Sequence, residues 1–302
     1  MLRSCVILIL AASFTLYGCA TTYNPATGQN ELIFVTTPVE VALGKIVASK
    51  VSNQYKISKD NKKINRVSEI GEQIAAVSDR KDLKYQFSVI EEDGLNAFTT
   101  PGGHIYLNSG LMEKANDNEL ACVIGHEIGH VAARHIAKKL QAQIGYDILM
   151  NIATRRGGSG ELQKAASISF NLITLGYSRE DELLADRLGV KYAHRAGYDP
   201  YAMISFLEKL KEVKNEELGV VFLRSHPYVS QRIDLLKTKI ASIIESDNKK
   251  AIVDDQPKKE RDIDSSPPGI DKARPLKVMC PVCRKIFPGR TRYCPYDGKK
   301  LQ

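Results

Sequence analysis

The stretch NDNELACVIGHEIGHVAARH, running from Asn116 to His135, decides the fold. Asn116 followed three residues later by Glu119 has the spacing of a capping box, and no proline interrupts the pattern until well past Leu140. On the helix this predicts, His126 and His130 lie four apart on one face, so both imidazoles reach a single metal ion. Glu127 falls about 100° further round and reaches a water on that ion instead of the ion itself. Zinc lowers the pKa of such a water to about 7, and a carboxylate can take its proton as it attacks a peptide carbonyl. The competing reading is a surface pair on an amphipathic helix. Ala121, Val123, Ile124, Ile128, Val131, Ala132 and Ala133 argue against it, because they leave the helix almost without polar relief. Two histidines and a glutamate buried there need partners, since unpaired buried polar groups are destabilising.

A third ligand can come from a histidine soon after the motif or from a glutamate on a later helix. His135 is out of register for the first. The later segment SREDELLAD, Ser178 to Asp186, carries Glu182 and Asp186 four apart on one face. As a bare surface pair these would repel by a few tenths of a kcal/mol. Around a metal, Glu182 ligates and Asp186 accepts a hydrogen bond from a ligand imidazole. Glu180 and Asp181 are expected to point elsewhere as solvated charges; the bland alternative makes all four acids one exposed face. Cys122, one turn before His126, is expected in the core. His104 and His194 have no spacing argument, and His226 before Pro227 is a histidine held extended in a loop.

Outward from this centre, 302 residues with 43% hydrophobic and 26% charged content fit one or two globular domains. Helices are expected at about Pro38–Gln54, Asp60–Ser78, Leu162 onward, Ser178–Ala196, Tyr201–Val213 and Val229–Ile244, with strands at Tyr85–Ile90 and His104–Asn108. The fold class is therefore mainly α with a small β-sheet. The net charge is +8, but from Asp247 onward 14 lysines and arginines face 8 acids, so most of the excess lies in the tail. The body has no basic, aromatic-interleaved surface, which excludes nucleic acid as a partner.

At the start, Arg3, the apolar run Cys5–Leu16 and the small residues after it have a secretory layout over residues 1–18, too short for a bilayer span of about 20 residues. Leu16 to Cys19 resembles a bacterial lipobox, with the bulky Tyr17 as a departure, so Cys19 is the expected lipidation site. Residues 19–37 read as a lipidated arm, 38–246 as the main domain, 247–276 as a solvated linker and 277–302 as a small module. In that module C-P-x-C at Cys280 and Cys283 is echoed by C-P-x-D at Cys294 and Asp297, a zinc ribbon with Asp297 as fourth ligand. Such modules favour glycine where Arg284 stands. The rival is a Cys280–Cys283 disulfide. The module's positive charge would suit anionic lipid or another polyanion.

Taken together, the HExxH run, the Ser178–Asp186 segment, Asn96–Ala97–Phe98, Pro101–Gly102–Gly103, His226–Pro227 and the Asn24–Gly28 opening resemble the zinc metallopeptidases related to the CAAX prenyl endopeptidase, in particular their periplasmic lipoprotein branch. The resemblance implies a zincin-like α+β domain, a His126, His130, Glu182 ligand set of gluzincin type and Glu127 as catalytic base. It implies that His104, Ile105, Tyr106, Leu107 and Asn108 bind the substrate backbone edge-on. His226 then lies near the zinc, either stabilising the oxyanion or filling the open coordination position of a latent form. The function expected is hydrolysis of misfolded or misassembled envelope proteins at the periplasmic face of the outer membrane; the alternative is a latent, chaperone-like zinc lipoprotein gated by His226.

Overall fold

The computed structural model describes residues 21–145, 151, 158–212, 222–254, 277–280, 284 and 286–288. A hairpin opens it, β1 (Thr21–Asn24) against β2 (Gln29–Leu32), with Gly28 at φ 71° in the turn. These residues, expected as an arm separate from the domain, are docked to it. Glu31 pairs with Lys138 at 2.7 Å, and Gln141 Oε1 accepts the amides of Phe34 and Val35 at 2.7 and 2.8 Å.

Helices α1 (Thr37–Gln54) and α2 (Asn61–Val77) follow. In α1 the buried Val39, Leu43, Val47 and Val51 recur every four residues, the spacing of one helix face. Asp60 starts α2 by accepting the Lys62 amide at 2.8 Å, which satisfies one donor that a helix start leaves unpaired.

Strands β3 (Gln86–Ile90), β4 (Ala97–Thr99) and β5 (His104–Asn108) form one sheet in the order β3-β5-β4. Successive strand residues face opposite sides, and here both sides are buried. Val89, Ala97, Ile105 and Leu107 enter one core; Ile90, Phe98 and Tyr106 enter the other. The central strand β5 runs parallel to β3 and antiparallel to β4, so both its edges are hydrogen-bonded. It therefore has no edge to offer a peptide, contrary to the expectation for His104–Asn108. Strands β3 and β4 are the two edges of this sheet; the outer side of β3 is met by a single bridge, Ile57 to Ile90, and that of β4 has no strand partner among the described residues.

The remaining helices are α3 (Ser109–Lys114), α4 (Asp117–Ala132), α5 (His135–Gln143), α6 (Ser159–Thr174), α7 (Arg179–Arg195), α8 (Ala202–Glu212) and α9 (Val229–Asp254). The helix predicted to run past Leu140 is broken, because Arg134 takes a left-handed conformation at φ 58° and ψ 34° between α4 and α5. Helix α9 runs beyond the expected boundary at residue 246, and Asp247 within it holds Arg195 through both carboxylate oxygens at 2.6 to 2.9 Å. Among the described residues no helix is long and apolar enough to cross a membrane. The tail contributes an antiparallel hairpin, β6 (Lys277–Met279) with β7 (Ile286–Pro288), and a buried Cys280. Cys19, Cys283, Cys294 and Asp297 lie outside the described residues.

Candidate metal centre

Helices α4 and α7 approach each other at glycines. A Cβ on Gly189 would lie 2.8 Å from the His126 amide nitrogen, and one on Gly125 would lie 2.9 Å from the Gly189 carbonyl oxygen. Only hydrogen fits at such backbone contacts, so these residues allow the ligand-bearing faces to meet. Both helices begin in capping boxes, Asn116 with Glu119 and Ser178 with Asp181, which fixes where each face starts. Helix α4 is buried throughout from Glu119 to Ala132, as its apolar neighbours predicted.

Four side chains converge there. His126 Nε2 lies 3.0 Å from His130 Nε2, 3.2 Å from His226 Nδ1 and 3.6 Å from Glu182 Oε2. His130 Nε2 is 3.4 Å, and His226 Nδ1 is 3.1 Å, from Glu182 Oε1. One ligand atom from each of the four lies within 4.8 Å of the others. On its far side His126 faces Asp186 Oδ1 at 2.8 Å; a carboxylate accepts only, so the ring proton sits on Nδ1 and Nε2 presents a bare lone pair to the cluster. Glu127 is fully buried with neither oxygen hydrogen-bonded, although Oε1 stands 3.4 Å from His226 Nε2. Two buried Glu127 oxygens without a hydrogen bond, beside imidazole nitrogens packed 3.0 to 3.2 Å apart, are unfavourable alone and are what a cation relieves. Imidazole nitrogens with a carboxylate oxygen are a donor set that suits zinc.

Arg232 completes the surroundings. It is wholly buried, bonds both oxygens of Asp186 at 2.7 Å and lies 2.7 Å from Glu182 Oε2. Burial pushes the Glu182 carboxyl up, but His226 and Arg232 outweigh it and hold the group well below the ordinary carboxylate range. Asp186 is likewise lowered, burial being overcome by Arg232 and His126. Glu127 goes the other way: burial raises it, and His226 and His126 only partly offset that.

Glu127, His126, His130, Glu182, Asp186 and His226 are thus brought together, whereas β5 lies within the sheet. Asp181, expected as a solvated charge, instead stands 3.3 Å from His135 Nε2. Glu180 is exposed. Cys122 is in the core, its thiol 3.5 Å from the Asp199 carbonyl and pushed up by burial. His104 is half-buried in β5, and His194 Nε2 reaches Asn248 Oδ1 at 3.1 Å. Sequence reasoning missed Arg232, and it missed Tyr177, whose ring stacks on His130 with centroids 3.8 Å apart.

A buried HExxH helix joined to a glutamate from a second helix defines a zinc metalloendopeptidase. The chain belongs to peptidase family M48, which residues 61–240 match. It is 29% identical over 200 residues to the beta-barrel assembly-enhancing protease of Yersinia pestis, covering 62% of this chain and 41% of that one. Over 163 residues it is 34% identical to the mitochondrial metalloendopeptidase OMA1 of Arabidopsis thaliana, covering 54% of this chain and 33% of that one. Metalloprotease LoiP of Escherichia coli is 28% identical over 159 residues, covering 52% and 63%. The chain thus spans between a third and two thirds of these relatives' lengths.

Proposed function

We propose that this metalloendopeptidase hydrolyses misfolded or misassembled envelope proteins, with zinc held by His126, His130 and Glu182 and protons moved by Glu127. The observation that carries the reading is the buried, unpartnered Glu127 carboxylate beside a cluster of four ligand atoms. Zinc bound there supplies Lewis acidity, lowering the pKa of water towards 7 and polarising a peptide carbonyl. Glu127, raised by burial, then accepts a water proton on its carboxylate and returns it to the departing amine. Asp186 keeps the His126 proton on Nδ1, and Arg232 keeps Glu182 and Asp186 ionised. Substrate main chain adds to the outer side of β4, Ala97–Thr99, because β5 is enclosed and the outer side of β3 is bridged by Ile57; strand addition reads backbone more than side chains.

The test is Glu127→Gln on an unfolded outer-membrane protein as substrate. Zinc content and fold should be kept while turnover falls at least about 10²-fold, the lower end of a general base's contribution. Prolonged incubation with a chelator should silence the wild type. Retained turnover in the variant removes Glu127 from the mechanism.

A second reading is favoured by one feature: His126, His130, Glu182 and His226 are each no more than 1% exposed. With His226 inside the ligand cluster, the centre is closed to a peptide, which supports a latent form opened by withdrawing His226. His226→Ala should then raise turnover, whereas loss of an oxyanion donor would lower it about 10²–10³-fold.

Anchoring through Cys19 at the periplasmic face of the outer membrane accords with the relatives named for beta-barrel assembly. The second, structural zinc in the tail is supported by Arg284. Its φ of 56° supplies the left-handed residue for which ribbon modules favour glycine, and its amide bonds the Cys280 carbonyl at 3.0 Å.

A further inference from the structure

We propose that His135 is a positioning residue of the metal centre, which holds His130 through a chain of hydrogen bonds ending on Asp181. His130 Nδ1 lies 2.7 Å from His135 Nδ1, and His135 Nε2 lies 3.3 Å from Asp181 Oδ1. Only one proton arrangement satisfies this chain. His130 gives its Nε2 lone pair to the ion, so its proton sits on Nδ1 and must be donated. His135 therefore accepts at Nδ1, carries its own proton on Nε2 and donates that to the carboxylate. Asp181 is free to receive it because its other oxygen, Oδ2, is the one that accepts the Ser178 amide in the capping box.

The backbone is shaped to make this contact. In an uninterrupted helix the fifth residue after His130 would sit about 140° round the axis, facing away. The left-handed turn at Arg134 breaks the helix and swings His135 back under His130, with ring centroids 4.9 Å apart. A left-handed conformation costs a non-glycine residue about 1–2 kcal/mol, and the surroundings hold it there. The Arg134 guanidinium bonds the Glu40 carboxylate, Thr37 Oγ1 at 3.0 Å and the Val35 carbonyl at 3.4 Å. Glu40 is buried and tied at 2.7 Å to Arg80. His135 itself is 2% exposed.

The two ligand imidazoles are thus oriented by different groups. His126 leans on the carboxylate of Asp186, whereas His130 leans on a second imidazole.

The proposal rests on the metallopeptidase reading, and its test separates the two. Zinc affinity, measured by chelator competition, should fall about 10–100-fold in His135→Leu, the usual cost of losing an outer partner of a ligand. His135→Asn keeps an acceptor oxygen where Nδ1 was and should stay within about threefold of wild type, much less than the loss expected on removing that partner. In wild-type protein labelled with ¹⁵N-histidine and loaded with zinc, nitrogen–nitrogen coupling across the hydrogen bond should join His130 Nδ1 to His135 Nδ1. That measurement decides the matter if His135→Leu does not fold. Zinc binding by the wild type with no such coupling, or equal affinity in a folded His135→Leu, overturns the relay alone. No zinc binding by the wild type overturns the metallopeptidase reading as well.

Discussion

Arg232 has no solvent exposure and faces two buried carboxylates. Removing one member of a buried ion cluster leaves the others uncompensated, which costs about 3–5 kcal/mol. Arg232→Met should therefore lower unfolding free energy by about that much and weaken zinc binding, because Glu182 and Asp186 lose the charge that keeps them ionised. Arg232→Lys, keeping the charge without the two-pronged geometry, should fall between. Denaturant midpoints with zinc titrations check both, and an unchanged midpoint for the methionine variant counts against the role. The sequence did carry a trace of this residue. Val229, Ile233, Leu236 and Ile240 are the buried stripe of α9, and 232 stands three after the first and four before the third, on the same face. The ligands were legible because their chemistry dictates their spacing. Arg232 was not, because a place on the apolar stripe marks burial without naming the charges met there.

At the scale of elements, the register of α4 against α7 sets the distance from the histidine pair to Glu182. Gly189→Ala places a methyl 2.8 Å from backbone with no flexible side chain to give way. Overpacking of this kind costs about 1–3 kcal/mol, while the gain in helix propensity is only about 1 kcal/mol. The packing term wins, so the variant should melt earlier and bind zinc less tightly. Gly160→Ala in α6 is the control, since nothing lies within 4 Å of its added carbon; it should be neutral or slightly stabilising. Equal behaviour of the two variants would show that the close approach does not matter. Periodicity made most helices legible, and the Asn116 capping box marked where α4 begins. The break at Arg134 was not, because no glycine or proline marks it and the left-handed turn is held by Glu40 and Thr37, residues far off in the chain. The place of β5 between two neighbours was equally hidden: alternation reports which sides are buried, not which strands are adjacent.

Over the whole molecule the four candidate ligand side chains come from α4, α7 and the segment before α9, up to 100 residues apart. No short piece of the chain can hold the ion as the folded domain does. Their near-complete burial also has a consequence in time. An ion enclosed by side chains with at most 1% exposure cannot be met by a chelator until part of the structure opens, and such openings have their own free energy and rate. Release of zinc should therefore reach a plateau as chelator concentration rises, the plateau being the frequency of opening. A rate that climbs in proportion to chelator throughout would mean a path to the ion already exists. If the plateau is found, an ion acquired during folding outlasts swings in the free zinc around it, and the enzyme's metal content records conditions at its making rather than those of the moment.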